Sequence, residues 1–114
     1  MPRTGRTEAM KTGQKAANVR HVNCQVEPGM FDGELLVSIQ GINPQNPKGP
    51  FRVQLLADSA LVTCGTKPER GRPVEGRLRV GVVRIKEGIA TVVLPQPAIP
   101  VGEAMLVRED QLTD

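Results

Sequence analysis

Residues 77–94, RLRVGVVRIKEGIATVVL, decide the kind of fold this chain makes. Leu78, Val80 and Val82 alternate with Arg77, Arg79 and Gly81, a period of two that sends one set of side chains to a core and the other to solvent. After Val82 the phase slips, because Val83 and Ile85 become the apolar set. One extra residue near Gly81–Val83 absorbs the slip as a β-bulge. Lys86-Glu87-Gly88 then reverses the chain. A three-residue loop ending in glycine suits a hairpin with Gly88 in the left-handed backbone region. Ile89–Leu94 returns as the second strand, rich in the β-branched residues that favour extended chain.

The same alternation recurs outward from this hairpin. On the N-terminal side, 19–26 places Val22, Cys24 and Val26 on one face and His21, Asn23 and Gln25 on the other. In ELLVSIQ (34–40), Leu35, Val37 and Ile39 face inward; in FRVQLLA (51–57), Phe51, Val53, Leu55 and Ala57 do so. Asp58-Ser59 reads as a turn into ALVTC (60–64), although it lacks the Gly or Asn of a primed hairpin turn. On the C-terminal side, PQPAIPVG (95–102) reads as an extended connection and EAMLVRE (103–109) as the last strand. The stretches 41–50 and 65–76 are broken by Pro and Gly into loops. The chain has 2 Phe and no Trp or Tyr, so its core is aliphatic. Val37, Val53, Leu55, Val80 and Val92 are its expected centre. The fold class is all-β: a small antiparallel barrel or two-sheet sandwich of six to seven short strands. A barrel is preferred, because closure hides edge strands.

Charge divides the chain. Residues 1–20 hold five basic residues (Arg3, Arg6, Lys11, Lys15 and Arg20) against Glu8, whereas the whole 114-residue chain is only +3. The segment has no apolar face to repay ordering. The expected organisation is a disordered basic tail over 1–18, one all-β domain over 19–110 and a short acidic end over 111–114. No apolar run follows the basic start, so it does not read as a secretory signal. No stretch is long and apolar enough for a membrane helix, and no membrane role is expected. Met10 offers a second translation start besides Met1. Two cysteines are no disulfide framework, and a reduced pair in a cytoplasmic protein is the expectation.

Catalysis is not expected. His21 is the only histidine. A zinc site from His21, Cys24 and Cys64 lacks a fourth ligand, and a three-residue spacing in a strand puts His21 and Cys24 on opposite faces. Cys64 with His21 and Asp58 has the residue types of a nucleophile site but no supporting turn. GTKPERG (65–71) lacks the order of a phosphate-binding loop. No catalytic, cofactor-binding or metal residue is assigned, and no cofactor. Two surfaces remain. Leu36, Leu56 and Val62 fall on nominally outward positions, as do some of Ile89, Thr91 and Val93. They suggest contact with a protein partner or a second copy of the chain. Lys67, Arg70, Arg72, Arg77 and Arg79, with the basic residues of the tail, suggest contact with nucleic acid through phosphates. Nucleic-acid binding is the alternative reading, because bases stack on aromatic platforms and this chain offers only Phe31 and the inward Phe51. The leading expectation is a non-enzymatic protein-interaction module, with self-association as one form of it.

Overall fold

The computed structural model describes residues 18–113, so the expectation of a disordered tail falls, but for Asn18, outside the described residues. Eight strands follow in order: β1 (Val19–Pro28), β2 (Glu34–Gln40), β3 (Arg52–Asp58), β4 (Val62–Cys64), β5 (Val74–Lys86), β6 (Ile89–Ala98), β7 (Gly102–Arg108) and β8 (Leu112–Thr113). All pairings are antiparallel. The main sheet runs β3-β2-β1-β5-β6-β7, with β4 added to β5 and β8 to β1.

The sheet curls into a half-barrel around the β5–β6 hairpin. β5 is 13 residues long because it serves two partners in succession. Along Val74–Gly81 it pairs with β1, and along Gly81–Lys86 it pairs with β6. The register slips between Val82 and Arg84, leaving Val83 as the bulged residue, 65% exposed. A bulge adds twist and bend, which turns the second half of β5 away from β1. Lys86 still pairs with Ile89, so the reversal into β6 is a two-residue turn of Glu87 (φ 55°) and Gly88 (φ 81°), one residue shorter than the expected three-residue loop.

The two ends of the sheet approach each other. Gln54 of β3 and Ile99 exchange backbone hydrogen bonds of 3.1 and 3.0 Å, and the Ile42 N–H donates to the Leu106 carbonyl at 2.9 Å. The core fills the curl. Val22, Val26, Val37, Ile39, Val53, Leu78, Val92 and Val107 are fully buried, with Leu55 and Val80 beside them. Burying such a side chain contributes about 1.5–3 kcal/mol, so these aliphatic residues are the main stabilising set.

Four further expectations change. PQPAIPVG is not a free connection: β6 continues through Pro95 and Pro97 to Ala98, with its ladder to β7 interrupted between Val93 and Ala98. Proline has no N–H for a ladder, which confines it to such gaps. The turn after β3 does not fold β4 back onto β3. The Asp58 Oδ1 accepts from the Ala60 N–H at 2.9 Å, and a one-turn 3-10 helix at Ser59–Leu61 carries the chain to β5. Val62 therefore faces inward, opposite Leu78 and packed on the core. Finally, 111–113 is not an appended end. Leu112 is 6% exposed, and β8 pairs with His21 and Val22.

Candidate binding groove

A concavity gathers where β1 loses its lateral partner. β2 pairs with β1 over Gln25–Pro28, and β8 over His21–Val22. Asn23 and Cys24 lie between those two ladders. Gln111 bridges the break: its Nε2 donates to the Gln40 carbonyl at 2.7 Å, and its Oε1 accepts from the Arg108 N–H at 2.9 Å. The groove has a volume of about 650 Å³. β1 supplies Asn23, Cys24 and Gln25; β2 supplies Ser38, Ile39 and Gln40; β3 supplies Arg52. Thr63, Cys64 and Gly65 line it from β4 and its exit, and Glu75, Gly76 and Arg77 from β5.

Strand phase explains this mixture. Asn23 is the partner of Arg77, which is also the partner of Thr63; Gln25 is the partner of both Ser38 and Glu75. These residues share the outward phase of four adjacent strands, β2, β1, β5 and β4. The Gln54 Nε2 extends the row by donating to the Ser38 Oγ at 3.1 Å. Cys24, Ile39 and Gln111 form the buried part of the lining.

The chemistry is polar with a positive bias. Four side-chain amides line the groove: Asn23, Gln25 and Gln40 present donors and an acceptor, while that of Gln111 is held by its two hydrogen bonds. Arg52 and Arg77 add two guanidinium groups against the one carboxylate of Glu75. No aromatic ring lines the groove. The Cys24 thiol is pushed up from 9.0 to about 12, first by burial and then by the charge of Cys64 nearby. It is protonated and unreactive at neutral pH. Both cysteines are free. Among the described residues no group of three or more His, Cys, Asp or Glu gathers to hold a metal ion. His21 lies on the outward phase of β1, opposite Arg79.

The structure separates the basic residues that the sequence grouped. Arg77 lines the groove, but Arg79 borders a second, smaller depression of about 270 Å³ beside Leu61, Val93 and Pro95. Lys67, Arg70 and Arg72 are exposed on the loop before β5. That loop is fastened to β1 by the Gly71 N–H, which donates to the Glu27 Oε1 at 3.2 Å. Arg20 does not belong with the tail: it is half-buried in β1, opposite Val80. Arg3, Arg6, Lys11 and Lys15 lie outside the described residues.

Of the apolar candidates, Leu36 and Leu56 are register partners on the outward phase of β2–β3, with Leu56 38% exposed. Val62 leaves this set, for the reason given above. A separate apolar face forms on β6, where Ile89 and Val93 are exposed on either side of Thr91, with half-buried Leu106 opposite Thr91 on β7.

The amides were not singled out from the sequence. They carry no motif, and only the joining of three separated segments brings them together. The one available signal was the run of Asn and Gln on outward strand positions.

No helix among the described residues is long and apolar enough to cross a membrane. Comparison with protein-family models, with curated proteins and with solved structures found no match.

Proposed function

We propose that the protein is a non-enzymatic interaction module, acting in the cytoplasm, that binds an extended acidic segment of a partner protein in the groove between β2 and β4–β5. One observation carries this reading: four amides and two guanidinium groups converge on a single groove with one carboxylate and no aromatic ring. An extended peptide offers alternating N–H and C=O groups, which side-chain amides match as donor and acceptor at once. Carboxylates on that peptide would meet Arg52 and Arg77 in charge-assisted pairs, the stronger class of hydrogen bond. Single-stranded nucleic acid gains much of its affinity from stacking on aromatic side chains, and the groove has none to offer.

The test is fluorescence anisotropy with labelled Glu- and Asp-rich peptides, matched Lys-rich peptides and oligonucleotides. Acidic peptides should bind, and Arg52→Gln with Arg77→Gln should weaken them at least tenfold. Binding of Lys-rich peptides alone would end this reading.

A second reading rests on Arg77 and Arg79, which share the outward phase of β5, close in sequence to exposed Lys67, Arg70 and Arg72. On that reading the ligand is nucleic acid held by its phosphates. With about five phosphates neutralised, log K would fall against log salt with a slope near −3.5 on single strands, from ~0.7 per phosphate. The partner in the first reading can also be a second copy of the chain, with Leu36 and Leu56 at the contact. Sedimentation at rising concentration distinguishes that case.

A further inference from the structure

On the side away from β5, β1 is covered by two short ladders, β2 over Gln25–Pro28 and β8 over His21–Val22, with Asn23 and Cys24 between them. The gap opens because β2 leaves β1 after Ser38: the Gly41 N–H donates to the Phe51 carbonyl at 2.8 Å, and the Ile42 N–H to the Leu106 carbonyl at 2.9 Å. From the other direction, the 3-10 turn at Glu109–Gln111 ties β8 to the end of β7. The strap 109–113 therefore meets β1 only at Leu112 and Thr113. The Gln111 side chain stands in for the missing strand by donating to the Gln40 carbonyl at 2.7 Å. The strap fits imperfectly. Its Thr113 Oγ1 is buried and finds no hydrogen-bond partner among the described residues, an arrangement that costs free energy.

We propose that the β1 edge at His21–Cys24 is a strand-acceptor site, whose ligand is an extended segment of a partner protein with alternating apolar and acidic residues. The segment displaces the strap and pairs with β1 in the strap's antiparallel register. This deepens the acidic-peptide reading of the groove and rests on it. A strand not tied to β7 is free of the turn, so it continues past Val22 to Asn23 and Cys24. Backbone pairing on an open edge supplies affinity, and alternate side chains supply specificity. Register partners project from the same face, and Val22 and Cys24 are buried. The ligand residues opposite them are therefore apolar. One replaces Leu112 over Val22, and the other settles on the groove floor of Cys24 and Ile39. The ligand residue between these two lies opposite Asn23, whose partner on β5 is Arg77. Cα atoms two strands apart stand about 9.6 Å from each other, twice the ~4.8 Å strand spacing, a gap that Glu and Arg side chains span together. An acidic residue there meets the guanidinium in a charge-assisted pair. The strap cannot supply this pattern. Extended in the same register, it would turn Asp110 inward opposite Cys24, whereas the 3-10 turn keeps Asp110 exposed.

The test titrates two acetylated peptides of equal composition into the ¹⁵N-labelled full chain: Glu-Val-Glu-Leu-Thr-Glu, which alternates, and Val-Leu-Glu-Glu-Glu-Thr, which does not. The alternating peptide should bind about tenfold more tightly, the gain from one further apolar side chain buried. On binding, the backbone amides of Leu112 and Thr113 and the side-chain amide of Gln111 should lose their folded shifts, and hydrogen exchange at 112–113 should accelerate. Leu112→Ala loosens the strap and should tighten the alternating peptide further. If its melt shows that variant unfolded, the parent chain decides. Equal binding of the two peptides, or a strap that stays protected with the alternating peptide bound, would overturn the proposal and leave the acidic-peptide reading standing. Binding of neither peptide would overturn both.

Discussion

Replacing Gly76 by Ala adds one methyl group at the tightest point of the β1–β5–β4 junction. The new Cβ would stand 2.7 Å from the Val26 Cγ2, 2.9 Å from the Thr63 carbonyl oxygen and 3.4 Å from the Cys64 Cβ. Val26 is fully buried and cannot swing aside. The Thr63 oxygen is backbone, and it moves only if β4 moves. Overpacking of this kind costs about 1–3 kcal/mol. The lower entropy of the unfolded Ala chain offsets about 0.4–1 kcal/mol of that, leaving a net loss of about 1–2 kcal/mol. At ~4–8 °C per kcal/mol for a domain of this size, Tm should fall by roughly 5–15 °C. Circular dichroism melts of Gly76→Ala beside Gly65→Ala make the measurement. Nothing lies within 4 Å of a Cβ at Gly65, so that variant should melt with the parent or slightly above it. A Gly76→Ala protein that melts at or above the parent would refute the packing of β4 on β5.

Leu55 is buried at the centre of β3, and Leu55→Ala should cost about 2–5 kcal/mol in urea unfolding. Deleting residues 111–114 removes buried Leu112 and both hydrogen bonds of Gln111; a loss of at least ~2 kcal/mol is expected, against none if this end were only appended. Cys24 holds its proton more tightly folded than unfolded, so its contribution to stability is complete below pH 9.0 and is lost as pH rises toward about 12. Stability should fall across that window by up to about 1.4 kcal/mol per pH unit, and Cys24→Ala should remove that part of the fall.

The local periodicities were legible. Alternation in Arg77–Leu94 located the hairpin, the slip after Val82 located the bulge, and the inward sets of β2 and β3 held without change. Pairing between distant segments was not legible, because alternation says which face a residue takes but not which strand lies beside it. For that reason Val62 read as outward until β4 was seen on β5. The proline run after Leu94 read as a connection because a strand with ladder gaps has no signal of its own. Leu112 is one apolar residue in a polar end, too little to announce a strand, and its burial comes from pairing with Val22. The groove was hidden for the same reason as β4: Asn23, Gln40, Arg52, Arg77 and Gln111 meet only after strands far apart in sequence are joined.

The central claim is that the groove takes an acidic extended peptide. An NMR titration of the ¹⁵N-labelled full chain with a Glu-rich peptide tests it most directly. Shifts should concentrate on the amides of 23–25, 38–40, 63–65 and 75–77, together with the side-chain amides of Gln40 and Gln111. Arg52→Gln combined with Arg77→Gln should abolish them without altering the rest of the spectrum. Shifts confined to 67–72, or to the outward face of β6, or no shifts at millimolar peptide, would contradict the account.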